Sequence, residues 1–416
     1  MARNYQAQCL WQVERAGQSD LARYGLRTLS PAMAPMPVPQ PNILISINAS
    51  WNIVNFRRGL VAGLQEAGFR VSAIAPPDSF TAAVRELGVD FHPIEMDKQG
   101  TSPARDLALY LRYRALLGRL RPDVFLGYTI KPNIYGSLAA HAHGIPVINN
   151  VAGLGVTFMR PGALNRLVRT MYKTALRRSH HVFFQNPDDR AIFTGAGIVP
   201  ERKTSLLPGS GIDLGRFAPG AERRAQGRSF TFLLVSRLLW AKGVGEYVAA
   251  AERLRARSPG LRFQIAGILE PGRSGAVPAA ELQRWQEQGT IEYLGALTDV
   301  RPAMIDADCV VLPSYYPEGT PRSLLEAAAM GKPLITCDVP GCREIVHDGA
   351  NGFLCRPRDV NDLISAIERI VALEPDALAR MGENSRNEAE QRFDEQIVVR
   401  RYIAAVDAAL GTRSRR

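Results

Sequence analysis

Two cations and two carboxylates offer the clearest chemistry in the chain. Arg237 and Lys242 stand in Val235-Ser236-Arg237-Leu238-Leu239-Trp240-Ala241-Lys242-Gly243, and Glu318 and Glu326 stand in Tyr316-Pro317-Glu318-Gly319-Thr320-Pro321-Arg322-Ser323-Leu324-Leu325-Glu326. A guanidinium and an ammonium suit a phosphate whose departure develops negative charge. Carboxylates do not bind phosphate; they accept hydrogen bonds from hydroxyls, so Glu318 and Glu326 call for a sugar or a ribose. A helix start between them would add free backbone N–H groups and the positive end of a helix dipole. Gly319 and Thr320 can place such groups near phosphate and sugar alike. A nucleotide sugar supplies both partners. Taken alone, either pair is commonplace, because two glutamates on a crossover helix and two loop cations normally just face water. Their shared position at strand ends is what gives them a common ligand.

That position follows from the flanking elements. Asp308–Ser314 reads as a short buried strand, Thr320 as a helix cap and Pro321 as the first helical residue, with Gly331 and Pro333 ending the helix. Strand, loop and helix put the charged loop at the carboxyl end of a strand, where open α/β sheets bind ligands. Arg237 and Lys242 likewise follow a predicted strand, Phe232–Ser236, and precede a helix containing Tyr247. Gly267 and Leu294 close the strands Phe263–Gly267 and Ile291–Gly295 and are candidates for lying against a nucleobase. Leu334–Asp338 and Gly352–Cys355 are further strands, and long helices begin near Val360 and Glu395. The first half alternates in the same way, with strands at Ile43–Ile47, Phe69–Ala75, Asp123–Tyr128, Pro146–Val151 and His181–Gln185, and helices at Phe56–Ala67 and Asn133–Ala142. Such alternation predicts an α/β chain of two doubly wound parallel sheets. The predicted division is a disordered extension over 1–40, domains over 41–218 and 219–395 joined by the Gly/Pro-rich run from Pro208 to Ser229, and a final helical segment over 396–416.

The run Glu-Gly-Thr-Pro, the leucine pair, Glu326-Ala327 and Gly331-Lys332-Pro333-Leu334-Ile335-Thr336 resemble the donor motif of retaining glycosyltransferases of family 4. The match is most specific from about Leu207 to Phe353 and continues more loosely from Pro41. The resemblance implies the GT-B architecture, two Rossmann-like domains facing across a cleft, and a UDP-sugar as donor substrate with no further cofactor. It implies that Arg237 and Lys242 hold the diphosphate, that Glu326 accepts from ribose hydroxyls, and that Glu318 supports the transferred sugar. No strong covalent nucleophile is evident, so the implied mechanism is same-face attack assisted by the leaving phosphate. It also implies that the last helix returns to the first domain. Tyr128-Thr129-Ile130-Lys131-Pro132-Asn133, Asn149-Asn150-Val151-Ala152-Gly153 and Phe184-Gln185-Asn186-Pro187 resemble a bacterial branch that extends polyprenyl-diphosphate-linked sugars. Asn52, Lys131 and Asn150 are thereby candidate acceptor contacts. The chain departs from the family at two points. The loop after its first strand has no glycine before Gly59, and Ala152 stands where many members have a histidine. Within the same architecture, a nucleotide-sugar 2-epimerase and a non-catalytic nucleotide-sugar-binding protein are the competing expectations.

Charge and composition narrow the partners. The 416 residues carry a net charge of +11, and residues 41–219 hold 21 Lys/Arg against 12 Asp/Glu, so +9 of it lies there. Two stretches concentrate it, Thr101–Arg121 and Arg160–His181, the second with leucines near a helical period. This pattern predicts basic amphipathic helices on an anionic membrane surface. No nucleic-acid motif accompanies the charge. With no apolar run long enough to span a bilayer and no signal-peptide layout, the expected location is the cytoplasm, peripheral on the inner face of the membrane. The cysteines and histidines lack metal-ligand spacing, so no metal site is expected. The oligomeric state is left open.

Overall fold

The computed structural model describes residues 40–97, 102–154, 162–220, 229–317 and 319–413. A seven-stranded sheet runs in the order β3-β2-β1-β4-β5-β6-β7. Its strands are β1 Asn42–Ser46, β2 Arg70–Ala75, β3 Asp90–Pro93, β4 Val124–Tyr128, β5 Val147–Val151, β6 His181–Phe184 and β7 Thr204–Leu206. A six-stranded sheet follows in the order β10-β9-β8-β11-β12-β13. It comprises β8 Phe230–Val235, β9 Leu261–Ala266, β10 Glu292–Tyr293, β11 Cys309–Leu312, β12 Leu334–Cys337 and β13 Gly352–Cys355. Neighbouring strands pair in parallel throughout, so crossover helices must cover both faces. That is why the inner strands read as unbroken apolar runs, as in Phe230-Thr231-Phe232-Leu233-Leu234-Val235, where every residue but the last is buried. Each strand order reverses beside its first strand, between β1 and β4 and between β8 and β11. The carboxyl ends there form the ligand crevice of a doubly wound sheet.

Local chemistry accounts for the helix starts. Pro187 opens the helix Pro187–Gly195, and its cap Asn186 accepts from the Asp189 N–H at 2.7 Å. Asp359 caps Val360–Val371 by accepting from the Asp362 N–H at 3.0 Å.

Several expectations are corrected. The helix read over Phe56–Ala67 is two, Ser50–Phe56 and Arg58–Glu66, broken at Arg57, whose φ is −132°. Arg57 falls on the apolar stripe of Ile53, Leu60, Val61 and Leu64, and its guanidinium turns inward to lie 4.7 Å from the centre of the Tyr128 ring. The helix read over Asn133–Ala142 opens as a π-helical turn, Pro132–Gly136, before regular helix Ser137–Ala142. There the Asn133 side chain is bound to β5, donating to the Asn150 carbonyl at 2.8 Å and accepting from Asn149 Nδ2 at 2.9 Å. Strands β3 and β7 and the helix Pro375–Glu388 were not anticipated, the strands because they are short and lie at the sheet edges.

The helix Glu395–Arg413 packs against the first sheet. Val398, Tyr402, Val406 and Ala409 are buried among Ile43, Ile45, Tyr128, Ile148 and Phe183. Val399 lies against Gly63, where a methyl group would collide with it. The expected disordered extension over 1–40 lies, but for Gln40, outside the described residues.

Candidate active site

The donor-side residues gather at the carboxyl edge of the second sheet. Arg237 follows β8, and its guanidinium lies 3.8 Å from the Glu270 carboxylate, which also binds Arg273 at 2.7 Å. Lys242 ends a short turn, Trp240–Lys242, and is buried, with its ammonium 5.3 Å from the centre of the Tyr316 ring. The next residue, Gly243, has φ 77° and sits so close to the Pro313 carbonyl that a side chain could not be accommodated. The Tyr315 N–H donates to the Ala241 carbonyl at 3.0 Å. Glycine permissiveness and these contacts thus bring the lysine loop against the loop after β11.

Gly267, at the end of β9, also has no room for a side chain, because a methyl group would meet the Ser236 carbonyl. Its own carbonyl accepts from Tyr293 Oη at 2.8 Å. Leu294 donates its N–H to Ile265 at 2.8 Å and is half-buried. Leu294, Gly267, Arg237 and the Tyr315–Tyr316 loop therefore occupy successive strand ends across β10, β9, β8 and β11. Glu318 lies outside the described residues.

The loop before Glu326 differs from expectation. The helix spans Arg322–Ala329, and Pro321 (φ −61°, ψ 122°) is its cap rather than its first residue. Thr320 does not cap it. The extended ψ of Pro321 turns Thr320 toward the other domain, where its N–H donates to Gln185 Oε1 at 3.2 Å and its hydroxyl to the Gln185 carbonyl at 3.3 Å. Gly319 sits against the same Gln185 oxygen. Glu326 accepts from Arg322 Nε one turn away at 3.0 Å. Arg322 in turn donates to Ser210 Oγ at 3.0 Å and lies over the rings of Phe56 and Phe217. Burial raises the Glu326 pKa above the ordinary carboxylate value, and the Arg322 guanidinium only partly opposes this.

The candidate acceptor residues lie on the first domain, each hydrogen-bonded within the protein. Lys131 forms an ion pair with Asp106 at 2.7 Å, both side chains mostly buried, and Tyr135 Oη donates to the same carboxylate at 2.8 Å. Lys131 is thus held by a carboxylate of the helix Pro103–Leu120. Asn52 donates to Asn48 Oδ1 at 3.0 Å within the first loop and helix. Asn150 is buried and donates to Tyr402 Oη at 2.9 Å on the last helix.

Reasoning from sequence missed two buried polar residues of the first domain. Gln185 was quoted in a motif but given no role; a polar residue closing the apolar strand His181–Phe184 was the available signal. Arg57 was missed although a cation on an apolar helical stripe is legible. Thr129 Oγ1 is buried without a hydrogen-bond partner among the described residues. Thr129 also takes φ 64°, which side chains rarely adopt. Among the described residues no group of His, Cys, Asp or Glu could hold a metal ion, and no helix is long and apolar enough to cross a membrane.

Comparison with known proteins assigns the family. The family described as "Glycosyl transferase 4-like domain" matches residues 53–209, and "Glycosyl transferases group 1" matches residues 229–372. The two matches fall on the two sheets in turn. The chain belongs to glycosyltransferase family 4. Of the relatives of this glycosyltransferase, the N,N'-diacetylbacillosaminyl-diphospho-undecaprenol alpha-1,3-N-acetylgalactosaminyltransferase of Campylobacter jejuni is 28% identical over 378 residues, covering 87% of this chain and 97% of that protein. The UDP-Gal:alpha-D-GlcNAc-diphosphoundecaprenol alpha-1,3-galactosyltransferase of Escherichia coli is 24% identical, covering 70% of this chain and 76% of its own. The structure of Anabaena HepE in complex with UDP and glucose superposes with a TM-score of 0.72 at 19% identity, over 88% of this chain and 99% of that one. Sucrose-phosphate synthase from Thermosynechococcus elongatus gives 0.72 at 22% identity over 90% and 100%. The fold is therefore GT-B, and the protein is an enzyme of glycosyl transfer.

Proposed function

We propose that this glycosyltransferase moves a hexose or N-acetylhexosamine, with retention, from a UDP-sugar to a polyprenyl-diphosphate-linked saccharide in surface-glycan biosynthesis. The observation that carries the reading is the convergence of Arg237, Lys242 and the Arg322–Ala329 helix, with Glu326, on one sheet edge. Two cations there neutralise a diphosphate, and Glu326 accepts from ribose hydroxyls through the carboxylate oxygen that Arg322 does not occupy. Glu318 supports the transferred sugar. As the sugar–phosphate bond breaks, charge develops on the departing phosphate, where preorganised cations act most strongly. The acceptor hydroxyl attacks from the same face, and the leaving phosphate takes its proton.

The acceptor class is supported by the two relatives whose names specify undecaprenol-diphosphate-linked sugars. The donor class is supported by the UDP in the name of the Escherichia coli enzyme and in the HepE complex. A membrane-side first domain fits the same reading. On the helix Ala163–Leu176, Arg166, Arg169 and Lys173 have no carboxylate partner among the described residues, and Leu164 and Leu167 are exposed. The helix Pro103–Leu120 contributes less net charge, because Arg105 pairs with Asp97 and Arg112 with Glu95.

The test is a panel of UDP-sugars assayed for UDP release with and without a polyprenyl-diphosphate-linked acceptor. Release that requires the acceptor, with the anomeric configuration kept in the product, is the expected result. Conversion of a UDP-sugar to its 2-epimer without acceptor would replace this reading with the isomerase.

A further inference from the structure

The donor loop is held by the opposite domain, through one residue. Gln185 follows β6 in the first sheet and is buried. Its Oε1 accepts from the Thr320 N–H at 3.2 Å, and its carbonyl accepts from the Thr320 hydroxyl at 3.3 Å. Its Nε2 donates to Asn150 Oδ1 at 3.4 Å, and Asn150 Nδ2 donates to Tyr402 Oη at 2.9 Å. The sense of each amide is thereby set from one end, since the Thr320 N–H demands the Gln185 oxygen, which turns Gln185 Nε2 to the Asn150 oxygen and leaves Asn150 Nδ2 for the Tyr402 hydroxyl. Thr320 is also confined from the hinge side, where Gly209 (φ 62°) lies so close that an added methyl would stand 2.8 Å from Thr320 Cβ. The helix Arg322–Ala329 starts at a proline with no capping side chain, so its own residues do not anchor the loop. The anchor comes from across the cleft.

We propose that Gln185 is a positioning residue that couples the last helix and the first sheet to the donor loop, setting where Gly319 and Thr320 present their backbone to the transferred sugar. The inference rests on the reading above that this loop holds the donor. Gln185 touches no reacting atom. It acts through Thr320, and a methyl at Gly319 would overlap Gln185 Oε1 and Cδ, which the bonds to Thr320 and Asn150 hold in place. Since the chain Tyr402–Asn150–Gln185–Thr320 crosses from one domain to the other, a shift of the first domain toward its acceptor is transmitted to the donor loop as a change in the Thr320 contact.

The test is a cross-domain pair, Gly319→Ala, Gln185→Ala and the double variant, assayed for transfer, for UDP affinity and for unfolding temperature without ligand. Gln185→Ala removes neutral hydrogen bonds and is expected to lower kcat about 3- to 10-fold with UDP affinity retained. It should also raise acceptor-independent hydrolysis of the donor relative to transfer, a ratio that a loss of stability alone leaves unchanged. Gly319→Ala is expected to lower transfer by about 100-fold, as a small displacement of a positioning group does. Removing Gln185 Oε1 and Cδ leaves only its Cβ, 3.0 Å from the added methyl, a tight contact that a small shift relieves, so the double variant should recover most of the activity of Gln185→Ala. A double variant no more active than Gly319→Ala would overturn the proposal. The melting temperatures require no substrate. A loss in Gly319→Ala that Gln185→Ala restores supports the contact, and additive losses refute it. If the wild-type protein turned over no UDP-sugar, the function proposed above would fail while the melts still decided the contact.

Discussion

Arg237, Lys242 and Glu326 can be separated by what each would lose. Lys242 is buried against Tyr316, whereas Arg237 is partly exposed and shares Glu270 with Arg273. Replacing either cation by alanine removes a charge-assisted bond to phosphate, worth about 1.5–3 kcal/mol, so turnover is expected to fall about 10- to 100-fold with the fold intact. Steady-state kinetics alongside circular dichroism measure this, and unchanged turnover in both variants would discard the assignment. Glu326 makes a different prediction. A carboxyl whose folded pKa is raised contributes stability that is complete below the unfolded pKa and disappears as pH rises through the folded one. Burial raises Glu326, so its charge is a net cost to the fold at neutral pH. Glu326→Gln is accordingly expected to leave the neutral-pH melting temperature unchanged or higher, despite losing the Arg322 ion pair. The ionised form accepts ribose hydroxyls, so the same variant should bind UDP about tenfold more weakly. In the wild-type protein UDP affinity should weaken on acidification at a pH above the usual glutamate range. In Glu326→Gln that limb should be absent from calorimetric titrations across pH.

The helix Ala163–Leu176 carries the clearest expectation about an element. Its buried side is Tyr172, Ala175 and Leu176, while Leu164 and Leu167 stay exposed beside Arg166 and Arg169. A basic Lys or Arg near an anionic bilayer contributes about 1 kcal/mol, screened by salt. Neutralising Arg166, Arg169, Lys173 and Arg177 together should therefore weaken binding to anionic vesicles by about 100-fold or more at low salt. UDP binding should be retained, since these residues belong to the first domain. Co-sedimentation with anionic and neutral vesicles over a salt series is the measurement, and equal binding to neutral vesicles would remove the electrostatic account.

The last helix makes the two sheets one folding problem. Val398, Tyr402, Val406 and Ala409 complete the core built on β1 and β4, although they lie at the far end of the chain. Truncation after Asp394 would expose that core and remove Tyr402 from Asn150. Burial of several large side chains at about 25 cal/mol per Å² outweighs the marginal stability of a domain, so loss of a cooperative transition is expected rather than a smaller active enzyme. Thermal melts and binding of a hydrophobic dye to the truncated chain check this.

The parallel α/β class was legible because buried strands and crossover helices impose distinct hydrophobic periods on a chain. The placement of Arg237, Lys242, Gly267 and Leu294 at strand ends followed from the same alternation, since it depends on neighbours in sequence. The match of the Glu318–Glu326 run to a family motif carried the donor chemistry, because a ligand-binding loop and its helix form one contiguous segment. What local patterns could not contain were pairings between distant residues. Lys131 was read as an acceptor contact, and its pairing with Asp106, 25 positions away, needed the fold. Thr320 looked like a helix cap, and Gln185, 135 positions earlier, claimed both its amide and its hydroxyl instead. Asn150 was read as an acceptor contact and is tied to Tyr402 across 252 positions. Buried polar groups must find partners, and in a two-domain chain the partner that wins is the one the packing brings near, which no local period encodes.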